Sequence, residues 1–254
     1  MARERTYRTE AIVLKRSDFG EADRLLTLFS KEFGKITAIA KGARKPQSRK
    51  TGHVELFMRS KFFIAKGRNL DIITQAEMVD PHAPLREDLM RVSHASYAVE
   101  LLNRFTVEED PHPGIYDLLD DTLGRYSTAD DLALVTRYYE LRLLSLTGFQ
   151  PRLYHCVSCG QDILEQDQFF SPEMGGLLCP NCRHADARAI PVSAATIKVM
   201  RYLQTRHWDA VKNLHLREET QKELERTMYK YILHTLERDL KSVDFLQQLQ
   251  NDGL

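Results

Sequence analysis

Four cysteines carry the most specific chemistry in the chain. Cys156 and Cys159 form one C-x-x-C pair, and Cys179 and Cys182 form a second after nineteen intervening residues. Each pair makes a tight knuckle that aims two thiolates at one point, and the loop between them can fold as a small ribbon that sets the second knuckle opposite the first. The result is the tetrahedral sulfur set that zinc prefers. Gly160, Gly175 and Gly176 suit the sharp turns involved. A thioredoxin-like redox site also reads C-x-x-C, but it occurs singly at a helix start after a strand, not twice around a ribbon. An iron–sulfur cluster could use four thiolates too, although the doublet spacing is less typical of one. Four protein ligands leave no open position for water, so the metal is expected to be structural and to contribute to folding. His155 and His184 flank the cysteines and could replace a ligand, but four cysteines already fill the site.

No other constellation points to catalysis. The chain has no G-x-x-x-x-G-K-[ST], no G-x-G-x-x-G after a strand, no G-x-S-x-G and no H-E-x-x-H, which removes the common nucleotide, hydrolase and metalloprotease signatures. Asp18-Phe19-Gly20 matches a kinase triplet by chance, since everything else a kinase needs is missing. Carboxylate pairs such as Asp120-Asp121 and Asp130-Asp131 fall in turns and helix starts, where capping is their ordinary use. The expectation is a protein that is not an enzyme.

The second chemical signal is charge. The chain holds 36 Lys and Arg against 36 Asp and Glu, which taken alone argues against a polyanionic partner. Residues 1–80, however, hold 17 basic against 10 acidic residues, a net of +7, and residues 81–254 hold 19 against 26, a net of −7. No acid occurs between Glu32 and Glu55, whereas Lys35, Lys41, Arg44, Lys45, Arg49 and Lys50 accumulate there, most of them in the run KGARKPQSRKTG. Such a run repels itself unless a partner neutralises it, so it reads as a phosphate-binding loop, with a solvated surface loop as the plainer reading.

Elements must position these groups. The first eighty residues contain five short runs rich in Ile, Val, Phe, Leu and Thr: EAIVLKR, DRLLTLFS, KITAIAK, RSKFFIA and LDIITQAE. Phe33-Gly34 and Lys66 to Asn69 read as hairpin turns, and the basic run separates the third strand from the fourth. Five strands without room for crossover helices predict an OB-like barrel over 1–80, with an SH3-like barrel as the alternative. Beyond Pro81 the period becomes 3.6. Leu85, Leu89, Val92, Ser96 and Val99 share one face, Ile115, Leu118, Leu119, Thr122, Leu123 and Tyr126 another, and a central helix is expected over Asp131 to Thr147, stopped by Gly148 and Pro151. Further helices are expected over Ser193 to Thr205, with Ser193 as N-cap, and Glu218 to Leu240. The fold class is therefore α+β and multidomain: a five-stranded barrel over 1–80, then an all-α domain over 81–254 with a four-cysteine zinc ribbon inserted at about 152–190. MARERTYRTE lacks an apolar core behind its charges, and no uncharged apolar stretch is long enough to span a bilayer, so a cytoplasmic location is expected. There the cysteines stay reduced.

Three separated segments resemble the RecO family of bacterial recombination mediators and DNA repair proteins. EAIVLKRSDFGEADRLLTLFS followed by FGKITAIAKGARK and Ser48 is similar to the family's N-terminal barrel, YELRLLSLTGFQPRL with CVSCG and FFSPEMGGLLCPNC to its central helix and ribbon, and LKSVDFL to its last helix. The resemblance covers nearly the whole chain, and the four cysteines match the zinc-bearing members. It implies an OB-fold and a helical domain with a zinc ribbon, binding of single- and double-stranded DNA, and annealing of complementary strands. It also implies action with RecR to load RecA on DNA covered by single-stranded-DNA-binding protein (SSB), whose acidic C-terminal tail docks on the helical domain, and a nucleoid-associated location. No cofactor beyond structural zinc is implied. The six loop cations occupy the region the family uses for DNA, and Arg16 and Arg24 add to it. Six phosphates neutralised on a single strand would give a log–log salt slope of about −4. A protein-interaction scaffold with only weak DNA contact is the alternative.

Overall fold

The computed structural model describes residues 5–45, 47–48 and 50–237; Arg49 and the LKSVDFL segment lie outside them. Strands β1 (Thr6–Phe19), β2 (Asp23–Ser30), β3 (Gly34–Ala40), β4 (Arg59–Ala65) and β5 (Asp71–Asp80) close into a barrel in the order β1-β2-β3-β5-β4. All neighbours are antiparallel except β3 and β5, which run parallel. This is the expected OB-like barrel.

Alternation builds its interior. In β3, Ile36, Ala38 and Ala40 point inward and Lys35, Thr37 and Ile39 outward. They meet Val13, Leu26, Leu28, Phe62, Ile64 and Ile73 in one buried cluster, which Val54 and Met58 of the β3–β4 connection complete. β1 is longer than the EAIVLKR run because it serves two partners: Thr6 to Ile12 pair with β4 and Ala11 to Phe19 with β2. A register shift between Val13 and Lys15 bends it from one to the other. The connection plugs that bend, since Phe57 N–H donates to Val13 O at 3.0 Å and Val13 N–H to Met58 O at 2.9 Å.

By internal contact density the chain falls into two compact units, which meet in sequence at Ala129 and Asp130. α1 (Ala83–Glu87), α2 (Leu89–Phe105) and α3 (Pro113–Thr128) belong with the barrel. The face drawn from Leu85 through Val99 is broken at Asp88. Its backbone is extended, and its carboxylate accepts the Arg91 N–H as the N-cap of α2. Leu89 is consequently half exposed. The stripe from Ile115 to Tyr126 on α3 is buried as expected.

The second unit begins with α4 (Leu132–Leu146), N-capped by Asp131 and ended near Gly148 at φ +85. Strands β6 (Gln168–Ser171), β7 (Gly176–Leu178) and β8 (Ile190–Val192) form a sheet in the order β7-β6-β8. Then follow α5 (Ala194–Thr205), α6 (Trp208–Val211) and α7 (Glu218–Leu236). Ser193 caps α5 as predicted. The sheet is anchored on α7 by Phe170, whose ring meets that of Tyr231 edge-on at 5.3 Å.

Candidate functional site

The ribbon sets the two cysteine knuckles against each other through backbone hydrogen bonds. In the first, Cys156 N–H donates to Gln161 O at 2.7 Å and Gly160 N–H to Cys156 O at 2.9 Å, with Gly160 at φ +76, a conformation that glycine adopts freely. Val157 N–H donates to Leu177 O at 2.8 Å and so docks this knuckle on β7. The second knuckle leaves β7 directly, and Cys182 N–H closes onto Cys179 O at 2.9 Å. Gly176 is where the two approach: a Cβ there would lie 2.5 Å from Arg152 O and 2.6 Å from Val157 Cγ1.

The four Sγ atoms all lie within 4.8 Å of one another. A tetrahedron of thiolates about 2.3 Å from a central zinc has edges of about 3.8 Å, and Cys159 Sγ and Cys179 Sγ stand 3.9 Å apart. A disulfide would need about 2.05 Å, and all four thiols are free. Cys156 is buried, which opposes ionisation. The backbone N–H groups of Cys159, Cys179 and Ser158 aimed at it outweigh that and pull its thiol down to about 6. Cys182 is pushed up to about 12 by its hydrogen bond to Cys179, by burial and by Cys159. Without a cation the cluster cannot carry four negative charges at once. These residues can hold a metal ion, and the donor set suits a soft, tetrahedral one. His155 pairs instead with Asp162 at 2.9 Å, and among the described residues neither it nor His184 joins the cluster.

The basic residues of the barrel are not gathered in one place. Lys35 sits at the start of β3, where its ammonium donates to the carbonyls of Asn103 at 2.9 Å and Thr106 at 2.6 Å at the C-terminal end of α2. Burial pulls its ammonium below the usual lysine range. Lys41 lies beyond the other end of the same strand. Arg16 and Arg24 converge on Glu55, the acid that closes the acid-free run; the Arg24 bond is 2.9 Å. Arg44 reaches Asp18 at 3.4 Å and Gly20 O at 3.3 Å. Lys50 folds back to donate to Ile73 O at 2.9 Å and Lys41 O at 3.1 Å, and burial lowers it too. Lys41 and Lys45 are exposed and make no ion pair among the described residues. Of the eight predicted cations, these two are open to an anion as they stand, Arg44 is exposed beside them, and Arg49 lies outside the described residues.

Three phenylalanines close to this loop in sequence differ sharply. Phe57 and Phe62 are 2% and 1% exposed and belong to the interior, while half-buried Phe63 lies under the Arg8 guanidinium at 5.3 Å. Lys15 and Phe19 are exposed on the outside of β1, and neither is among the residues predicted to bind DNA. Strict alternation from Ala11 and Val13 would set both on the inner face; the register shift after Val13 turns them outward. No described helix is long and apolar enough to cross a membrane.

Two family models match in succession, the N-terminal model of recombination protein O over residues 1–82 and its C-terminal model over residues 86–244. The chain belongs to the RecO family. A relative named DNA repair protein RecO from Roseiflexus sp. (strain RS-1) is 42% identical over 248 residues, covering 98% of this chain and 87% of the relative. The protein of the same name from Dehalococcoides mccartyi (strain ATCC BAA-2266 / KCTC 15142 / 195) is 34% identical over 254 residues and the full length of both. That from Desulforudis audaxviator (strain MP104C) is 39% identical over 243 residues, covering 96% of this chain and 97% of the relative. Membership of the RecO family thus extends over both compact units.

Proposed function

We propose that this chain is a non-catalytic mediator of DNA repair by homologous recombination in the bacterial cytoplasm, associated with the nucleoid. Its OB-like barrel binds single- and double-stranded DNA through the loop after β3 and brings complementary strands together by cancelling their phosphate repulsion. With RecR it promotes RecA loading on DNA coated by SSB, whose acidic tail docks on the helical domain. Cys156, Cys159, Cys179 and Cys182 hold a structural zinc that closes the ribbon and takes no part in a reaction. RecO-family membership supports the repair role. The observation that carries the DNA reading is the acid-free segment between Glu32 and Glu55, with Lys41 and Lys45 exposed and unpaired among the described residues on a closed barrel.

The test is annealing of complementary oligonucleotides by the full chain and by Lys41→Ala/Arg44→Ala/Lys45→Ala. The triple variant is expected to lose annealing while it still binds SSB and RecR. Unchanged annealing would remove the loop from the mechanism. A second reading, a protein-interaction scaffold with weak DNA contact, draws on the engagement of Lys35, Lys50, Arg16, Arg24 and Arg44 with protein atoms. The salt slope separates the two. Lys41, Lys45 and Arg49 alone give about −2 on a single strand, recruitment of all six cations of the acid-free segment gives about −4, and a flat response favours the scaffold.

A further inference from the structure

The outer surface of the barrel beside the basic loop carries an aromatic ring that neither the fold nor the loop explains. Phe19 ends β1, pairs with Asp23 across the turn into β2, and is 43% exposed. Beyond the bend in β1, Arg16 faces Leu26 across the strands. Leu26 belongs to the buried interior, so Lys15, Ser17 and Phe19 lie on the opposite, outward side. The register continues that surface: Ser17 opposite Leu25, Leu25 opposite Ile39, and Ile39 opposite Ile72. Leu25, Ile39 and Ile72 are all half-buried. The outward side of an antiparallel sheet is ordinarily polar, yet here Phe19, Leu25, Ile39 and Ile72 stand among its polar positions Lys15, Ser17 and Asp23.

The cations are fixed against the same hairpin. Gly42 N–H donates to Asp23 Oδ1 at 2.7 Å, Arg44 N–H to Ala22 O at 2.9 Å, and the Arg44 guanidinium to Gly20 O at 3.3 Å. Two of the nearby carboxylates, Asp18 and Asp23, are engaged by these bonds and by the Arg44 ion pair. Lys15 on the same strand, Lys41 just past the end of β3 and Lys45 in the loop that is bonded to this hairpin are all exposed. An exposed aromatic ring on a strand that also carries an exposed ammonium group, beside a basic loop, matches one chemistry in both parts, a sugar-phosphate chain whose bases are unpaired. The cations neutralise phosphates, and the ring receives the face of a base. A duplex keeps its bases stacked inside and offers the phosphates alone. Phenylalanine has no polar handle, so the platform accepts any base.

We propose that Phe19 is a stacking platform for unpaired nucleobases, and that this residue, not the loop, separates single-stranded from double-stranded ligands. The proposal rests on the reading that the loop binds DNA, and the test keeps the two apart. Fluorescence anisotropy is measured with the full chain against labelled oligo-thymidylate, an abasic strand of the same length and a duplex. Phe19→Ala should bind oligo-thymidylate about ten-fold more weakly, with abasic and duplex affinities and the salt slope unchanged. Phe19→Trp should keep wild-type affinity and show indole quenching when thymidylate is added. Lys41→Ala/Lys45→Ala should weaken all three ligands and flatten the slope. If Phe19→Ala leaves thymidylate binding intact, or weakens all three ligands alike, the platform is overturned while a lysine effect keeps the loop. If the lysine variant changes nothing, the loop reading fails and Phe19→Ala decides the platform by itself.

Discussion

Gly176 has no room for a side chain, because Arg152 O and Val157 Cγ1 would lie within 2.6 Å of its Cβ. Gly176→Ala must push the first knuckle off β7, and overpacking of this kind costs about 1–3 kcal/mol. A denaturant melt combined with competition against a chromophoric chelator should show lower stability and weaker metal retention together; a loss of stability under about 0.5 kcal/mol would contradict the geometry. In metal-free protein the thiols themselves give a pH signature. Cys156 is depressed to about 6, so the stability it contributes is complete above the ordinary thiol value and fades as pH falls toward 6. Cys182 is raised to about 12, so its contribution is complete below the ordinary value and fades as pH climbs toward 12. Metal-free protein should therefore be most resistant to urea near pH 9 and lose resistance on both sides. A midpoint that rises steadily toward acid would overturn this assignment. The spacing of the cysteines was legible in the sequence because each knuckle is local. Which thiol ionises was not, since Cys156 depends on the N–H of Cys179, 23 positions away.

At the scale of elements, the cations of the barrel divide into those that hold it together and those that face outward. Lys35 terminates α2 by taking two of its end carbonyls, a favourable place for a cation. Lys35→Ala should cost about 1–2 kcal/mol in thermal or chemical melts and leave DNA affinity within about two-fold, whereas Lys45→Ala should do the reverse. Equal effects of the two on DNA would contradict this division. Glu55 holds two guanidiniums. Glu55→Gln releases them and should steepen the salt slope by up to about 1.4, at roughly 0.7 per added phosphate on a single strand. In the sequence Lys35 counts among the cations of the acid-free run, whereas alternation along β3 sets it on the outside of the strand. Its partners lie 68 and 71 positions away, and no local pattern announces a tie of that length. The break at Asp88 was hidden for a different reason: Leu85, Leu89 and Val92 keep helical spacing across it, and only the extended backbone of Asp88 shows two helices.

For the molecule as a whole, a net charge of zero conceals a basic barrel segment and an acidic remainder, so solubility near the sequence pI of about 7.1 depends on charges of both signs remaining on the surface. Chelation should act on one unit only: hydrogen exchange is expected to rise over residues 152–190 while the strands of the barrel keep their protection, and loss of barrel protection at the same chelator concentration would refute independent behaviour. The barrel closes through β1, which pairs with both β2 and β4, although β3 and β5 join only over Ala38 to Ala40 and Asp71 to Ile73. The ribbon has edges. On one side Pro191 interrupts the donors of β8. On the other, β7 is covered by the knuckle segment, through Leu177 N–H to Arg152 O and Val157 N–H to Leu177 O. Whatever keeps that knuckle shut thus also keeps β7 from recruiting a strand of another molecule. Metal-starved or thiol-oxidised cells would then accumulate this protein as assemblies joined through β7, each carrying a correctly folded barrel, so that an antibody against the native barrel would still recognise the insoluble fraction.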